Sequence, residues 1–148
     1  DYNHPILKEL EVGIVNAVSN YMTSLQDQAN HPFLGYKPTR YTIDIWANIL
    51  KSNDHQSSHI HNQGWMSGVY YVSLPENSLE DNPYAGWIEF NRPGYGLPAL
   101  GGDDHIKKIA PKAGMIVMFP SYVWHGTIPF TSQGTRISIA FDVHADDN

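Results

Sequence analysis

Thr135-Arg-Ile-Ser-Ile-Ala-Phe-Asp-Val143 alternates without a break. Side chains on an extended strand point in turn to its two faces. Ile137, Ile139, Phe141 and Val143 therefore make one apolar face, and Arg136, Ser138, Ala140 and Asp142 make the other. The apolar face needs a partner layer. The other face then looks into a barrel, where an arginine is costly unless an anion meets it. A guanidinium fork with a hydroxyl two residues on suits a carboxylate. An Asp or Glu of the same chain would satisfy it equally well.

Runs of similar character fill the chain from Arg40 onward, at 41–50, 65–74, 86–91, 106–110 and 115–119, separated by Gly, Pro, Asn and Asp. That spacing predicts an all-β sandwich or barrel. Ahead of it, Ile6, Leu7, Leu10, Ile14, Val18, Tyr21, Met22 and Leu25 recur at three- and four-residue steps. They predict a helix over 6–29, with Pro5 near its start and His31-Pro32 beyond its end. One helix followed by many strands fits a jelly roll with the helix packed outside. The expected arrangement is one domain over 1–148 with its all-β core over 40–143. The Gly/Pro-rich segment 92–104 is long for a loop and reads either as a binding loop or as a plain surface excursion.

Composition narrows the function. The 148 residues carry 9 Lys+Arg against 15 Asp+Glu, a formal charge of −6. With only Arg40, Arg92 and Arg136, this is a poor binder of a phosphate backbone, and no nucleic-acid partner is expected. No apolar run approaches the ~20 residues of a membrane span. With no signal peptide visible, a cytoplasmic location is expected, and a removed leader stays open. The absence of Cys excludes disulfides, thiolate metal sites and a Cys nucleophile, while eight His tilt any metal site toward imidazole ligands. Oligomeric state is not legible here. A homodimer stays open, and an exposed apolar strip on an edge strand would be its sign.

The histidines carry the chemical signal. His59-Ile60-His61 puts two imidazoles on one side of an extended segment, at adjacent corners of one ion. Alone, such a pair is more often two surface histidines. In Gly114-Met-Ile-Val-Met-Phe-Pro-Ser-Tyr-Val-Trp-His125 an apolar strand runs into Pro120, then a short turn and a single His. A jelly roll can bring that His opposite the earlier pair. Three imidazoles on one face of an octahedron leave open positions for small ligands, as non-haem Fe(II) oxygenases require. Arg136-Ile-Ser138 follows His125 by eleven residues.

In this order and spacing, His59-x-His61, His125 and Arg136-x-Ser138 resemble the Fe(II)/2-oxoglutarate-dependent oxygenase superfamily. The phrases HIHNQGWMSGVYYV (59–72) and MFPSYVWHGTIPF (118–130) look like its small members that carry His-x-His. The resemblance covers roughly 41–143 and implies a double-stranded β-helix. It implies Fe(II) on His59, His61 and His125, and 2-oxoglutarate chelating that metal. The distal carboxylate would pair with Arg136, Ser138 and Tyr71, and Asn48 would reach the metal-side carboxylate. The implied reaction is hydroxylation of an unknown small-molecule or peptide substrate, with release of succinate and CO₂.

One position departs from the pattern. His61 stands where the superfamily has Asp or Glu, so the ligand set carries one negative charge less. That puts oxoglutarate dependence in question and admits Zn²⁺, Ni²⁺ or Cu²⁺ as well. Gln63, Asp54 or a water could complete the sphere instead. The other readings are a cupin-type three-His dioxygenase or isomerase, a non-catalytic metal-binding module, and a lectin-like jelly roll. Trp65 could wall the substrate opening or simply pack in the core.

Overall fold

The computed structural model describes residues 4–76 and 82–146. One helix, α1 (Pro5–Ser24), precedes seven strands: β1 (Tyr41–Leu50), β2 (Met66–Ser73), β3 (Ile88–Phe90), β4 (Lys107–Ile109), β5 (Ile116–Pro120), β6 (His125–Thr127) and β7 (Arg136–Ala145). They form two antiparallel sheets, a major one ordered β1-β7-β2-β5 and a minor one ordered β4-β3-β6. This is the expected jelly roll, a double-stranded β-helix with its helix outside.

The alternation of β7 sorts as its sequence demands. Phe141 and Val143 are fully buried with Ile14, Val18 and Met22 of α1, and with Met66 and Phe33. Arg136, Ser138 and Ala140 turn to the interior between the sheets, where Val69, Tyr71, Ile88, Phe90, Val117 and Phe119 make a second core. Gly68 of β2 is required by the first core, because a Cβ there would run into the Phe141 ring. Register then aligns the inward side chains in rows across three strands. Asn48, Ser138 and Tyr71 share one row, Trp46, Ala140 and Val69 the next, and Asp142 and Ser67 the third.

Two features depart from the sequence expectation. The helix stops at Ser24, five residues before the expected 29. The Ser24 hydroxyl donates to Tyr21 O at 2.7 Å, a side-chain bond that competes with continued helix. Leu25 is extended, Lys37 Nζ donates to its carbonyl at 3.2 Å, and His31 Nδ1 accepts from the Phe33 and Leu34 amides. This early reversal seats Phe33 on Trp65, ring on ring at 4.1 Å. Burying an aromatic pair outweighs one more turn of helix. The second departure is β6, three residues long, which carries His125 where the sequence shows only a turn ending in a histidine.

No helix among the described residues is long and apolar enough to cross a membrane. The edge strand β1 carries exposed Ile45, Trp46 and Ile49.

Candidate active site

The three histidines meet because backbone pairing puts them together. His59 and His125 exchange both amide–carbonyl bonds, at 2.9 and 3.0 Å, as a two-residue antiparallel bridge. His61 N donates to Ser121 O at 3.0 Å, and Thr127 N donates to Gln56 O at 2.9 Å. The segment before His59 can lie flat on β6 only because residue 126 is glycine. A Cβ there would stand 2.8 Å from Gln56 O and 3.0 Å from Ser58 N. Gly126→Ala is therefore expected to push the His59 segment off β6. It should lower stability by about 1–3 kcal/mol and weaken metal binding. Thermal melting and Co(II) titration of the variant check both.

The rings converge, with centroids 4.4–5.1 Å apart. Each Nδ1 is taken by an outer acceptor: Ser57 O at 2.7 Å for His59, the Asp142 carboxylate at 2.7 Å for His61, and Val123 O at 3.0 Å for His125. Those acceptors place the ring proton on Nδ1, so every Nε2 presents a bare lone pair. One ligand atom from each ring lies within 4.8 Å of the others. His59 Nε2 and His61 Nε2 stand 3.1 Å apart. Two lone pairs at that distance repel unless a cation lies between them. Metal–nitrogen bonds of ~2.1 Å put adjacent octahedral positions about 3.0 Å apart and tetrahedral ones about 3.4 Å apart. The observed spacing suits an octahedral pair. Burial, reinforced by the neighbouring His59 and His61, pushes His125 down to about 4 against the pull of its Val123 bond, so the ring stays neutral near pH 7.

The second half of the site is an unpaired cation. Arg136 is 2% exposed, and no carboxylate among the described residues pairs with it. Its Nε and Nη1, the Tyr71 hydroxyl and the Ser138 hydroxyl are all buried without a hydrogen-bond partner. Arg136 lies over the Tyr71 ring, 5.1 Å from its centroid, rather than in an aligned bond to the hydroxyl. Burial lowers the Arg136 pKa and raises that of Tyr71, each shift partly opposed by the other group. Four orphaned polar groups, two of them on the desolvated guanidinium itself, make a surrounding that suits an anion.

A single cavity of about 100 Å³ is lined by the three histidines, Asn48, Trp46 and Arg136. Imidazoles and guanidinium therefore face the same space. Gln56, His59, Gly126 and Thr127 also line an open groove of about 640 Å³, bounded by Tyr84, Glu89, Arg92, Tyr95 and Lys108. Glu89 holds Arg92 at 2.6 Å and Lys108 at 4.0 Å, and Arg92 reaches Asp103 at 3.4 Å, tying the 92–104 loop to the groove.

Asn48 lines the cavity that the histidines and Arg136 share, level with Ser138 on the neighbouring strand. Trp46 is the β1 side chain beside His61, with ring centroids 5.8 Å apart. Asp54 accepts from Lys51 N at 2.8 Å in a turn, and Gln63 is exposed, so neither completes the histidine cluster. Trp65 is a core residue, its Nε1 donating to Phe33 O. The residue the sequence reading missed is Asp142. It was placed on the inward face, but its partner His61 lies 81 residues away. Burial opposes its ionisation, yet hydrogen bonds from His61 and Ser67 outweigh this and hold its pKa below the usual value.

Among solved structures the chain is similar to a viral collagen prolyl hydroxylase of Paramecium bursaria Chlorella virus-1 in its 2-oxoglutarate complex, with a TM-score of 0.59 and 14% identity over 93% of this chain and 72% of that one. It is similar to HygX of Streptomyces hygroscopicus with nickel and 2-oxoglutarate bound, at 0.54 and 12%, covering 72% and 58%. It is also similar to a Pseudomonas putida prolyl-4-hydroxylase, at 0.52 and 16%, covering 71% and 52%. At these identities the likeness establishes the fold. The chain spans about half the length of the Pseudomonas enzyme. No curated protein matches it by sequence. Residues 44–142 match the family described as "Putative 2OG-Fe(II) oxygenase", and the chain belongs to that family of enzymes, which use Fe(II) and 2-oxoglutarate.

Proposed function

We propose that this protein hydroxylates a small molecule or peptide, consuming 2-oxoglutarate and O₂ and releasing succinate and CO₂. The observation that carries this reading is the shared cavity: three bare Nε2 atoms line it together with a buried, unpaired guanidinium. A metal and a diacid fill both needs at once. His59, His61 and His125 would hold Fe(II), which when bound supplies oxygen activation. Arg136 would take the distal carboxylate, with Ser138 and Tyr71 donating their free hydroxyls. Asn48, which lines the same cavity, would reach the metal-side carboxylate. The low-dielectric walls strengthen these charge-assisted bonds and keep bulk water from the reacting centre. The open groove that shares His59 would receive the substrate, with Tyr84 and Tyr95 on its sides and the Glu89–Arg92–Lys108 ion cluster on its surface.

The reading is tested by incubating the protein with Fe(II), 2-oxoglutarate and O₂ and measuring succinate. The expected result is O₂-dependent succinate formation, slow without substrate and faster when a substrate panel contains the right compound. No succinate above a metal-free control across a broad panel would contradict it.

A further inference from the structure

His61 leaves the candidate metal centre one negative charge short of a ligand set containing a carboxylate. The structure places a carboxylate directly behind it. Both Asp142 oxygens lie 2.7 Å from His61 Nδ1. The Ser67 hydroxyl donates to Asp142 Oδ1 at 2.6 Å, and the Ser121 hydroxyl lies 2.8 Å from Ser67 Oγ. Ser67 and Ser121 are buried, so this chain of polar groups is fixed by the packing around it.

Asp142 occupies an expensive position. Its side chain is 13% exposed. A desolvated carboxylate needs strong partners. A side chain kept only for packing would be better apolar, like Phe141 and Val143 beside it on the opposite face of β7. The carboxylate instead meets the Ser67 hydroxyl and one imidazole, whose other nitrogen faces His59 Nε2.

We propose that Asp142 is a positioning residue of the metal centre: it holds His61 with Nε2 aimed at the ion and supplies, through the ring, the negative charge that a carboxylate ligand in place of His61 would supply directly. The His61–Asp142 pair then acts as one extended anionic ligand. A carboxylate hydrogen-bonded to the far nitrogen fixes the tautomer and raises the basicity of the near one, and loss of such a partner typically costs 10–100-fold in metal affinity. The fold makes the substitution workable, because Ser67 and Asp142 are register partners and the segment before β2 holds His61 beside them through its amide bond to Ser121 O.

This inference rests on the metal-centre reading above, and the test separates the two. Co(II) is titrated into the wild-type protein and into Asp142→Asn and Asp142→Glu, with the visible Co(II) spectrum recorded. The Fe(III)/Fe(II) potential is measured on the iron-loaded forms. Asp142→Asn is expected to bind Co(II) 10–100-fold more weakly, with an altered spectrum and a higher potential, since the lost charge had favoured Fe(III). Asp142→Glu should restore part of the affinity. Equal affinity and an unmoved potential in Asp142→Asn would overturn the role of Asp142 while leaving the metal centre standing. A wild-type protein that binds no Co(II) would overturn both. If Asp142→Asn fails to fold, ¹⁵N-histidine NMR of the wild-type protein decides. The inference requires His61 to keep its Nδ1 proton while Zn(II) shifts its Nε2, and Zn(II) bound through Nδ1 would refute it.

Discussion

Arg136→Met is expected to stabilise the ligand-free protein and to abolish its response to 2-oxoglutarate. The two effects share one cause. Arg136 is 2% exposed, its Nε and Nη1 lack partners, and the face of Tyr71 is its main compensation. A cation–π contact contributes about 0.5–2 kcal/mol, which falls short of the several kcal/mol that desolvating an ion costs. Met fills a similar volume with no charge, so the variant should gain about 1–4 kcal/mol, an upward shift of several degrees in Tm for a domain of this size. Wild type should gain instead from the ligand. At a hundredfold excess over Kd, 2-oxoglutarate should add about 2.7 kcal/mol. Melting curves of both proteins, with and without metal and 2-oxoglutarate, check the pair of signs. A variant that is less stable and still responds to 2-oxoglutarate would contradict the receptor reading.

His125→Ala should lose Co(II) affinity by more than about a hundredfold, beyond what an outer-sphere change produces. The fold should survive, because His59 pairs with the backbone of residue 125 and not with its ring. The ring also packs on Phe119 at 4.5 Å, so some loss of stability is expected. Truncating a buried ring costs up to about 3–5 kcal/mol. Circular dichroism and melting separate that loss from the loss of metal. Metal binding equal to wild type would remove His125 from the centre.

The fold was legible because β7 states its own geometry. Strict alternation assigned the Phe141 face to the helix and the Arg136 face to the interior, and both assignments hold. His59-x-His61 was legible for the same reason, since two-residue spacing survives any topology. What the sequence concealed depended on partners far along the chain. Asp142 needs His61, 81 residues earlier, before its carboxylate has a purpose. β6 is too short to show a period, and its position depends on Gly126 letting the His59 segment approach. The helix end lies where Phe33 finds Trp65, a pairing 32 residues apart that local propensity does not contain.

A crystal structure of the protein grown anaerobically with Fe(II) and 2-oxoglutarate tests the whole arrangement at once. One iron should lie ~2.1 Å from the Nε2 atoms of His59, His61 and His125, with the co-substrate's distal carboxylate on Arg136. Iron elsewhere, or a diacid bound away from that guanidinium, would contradict it.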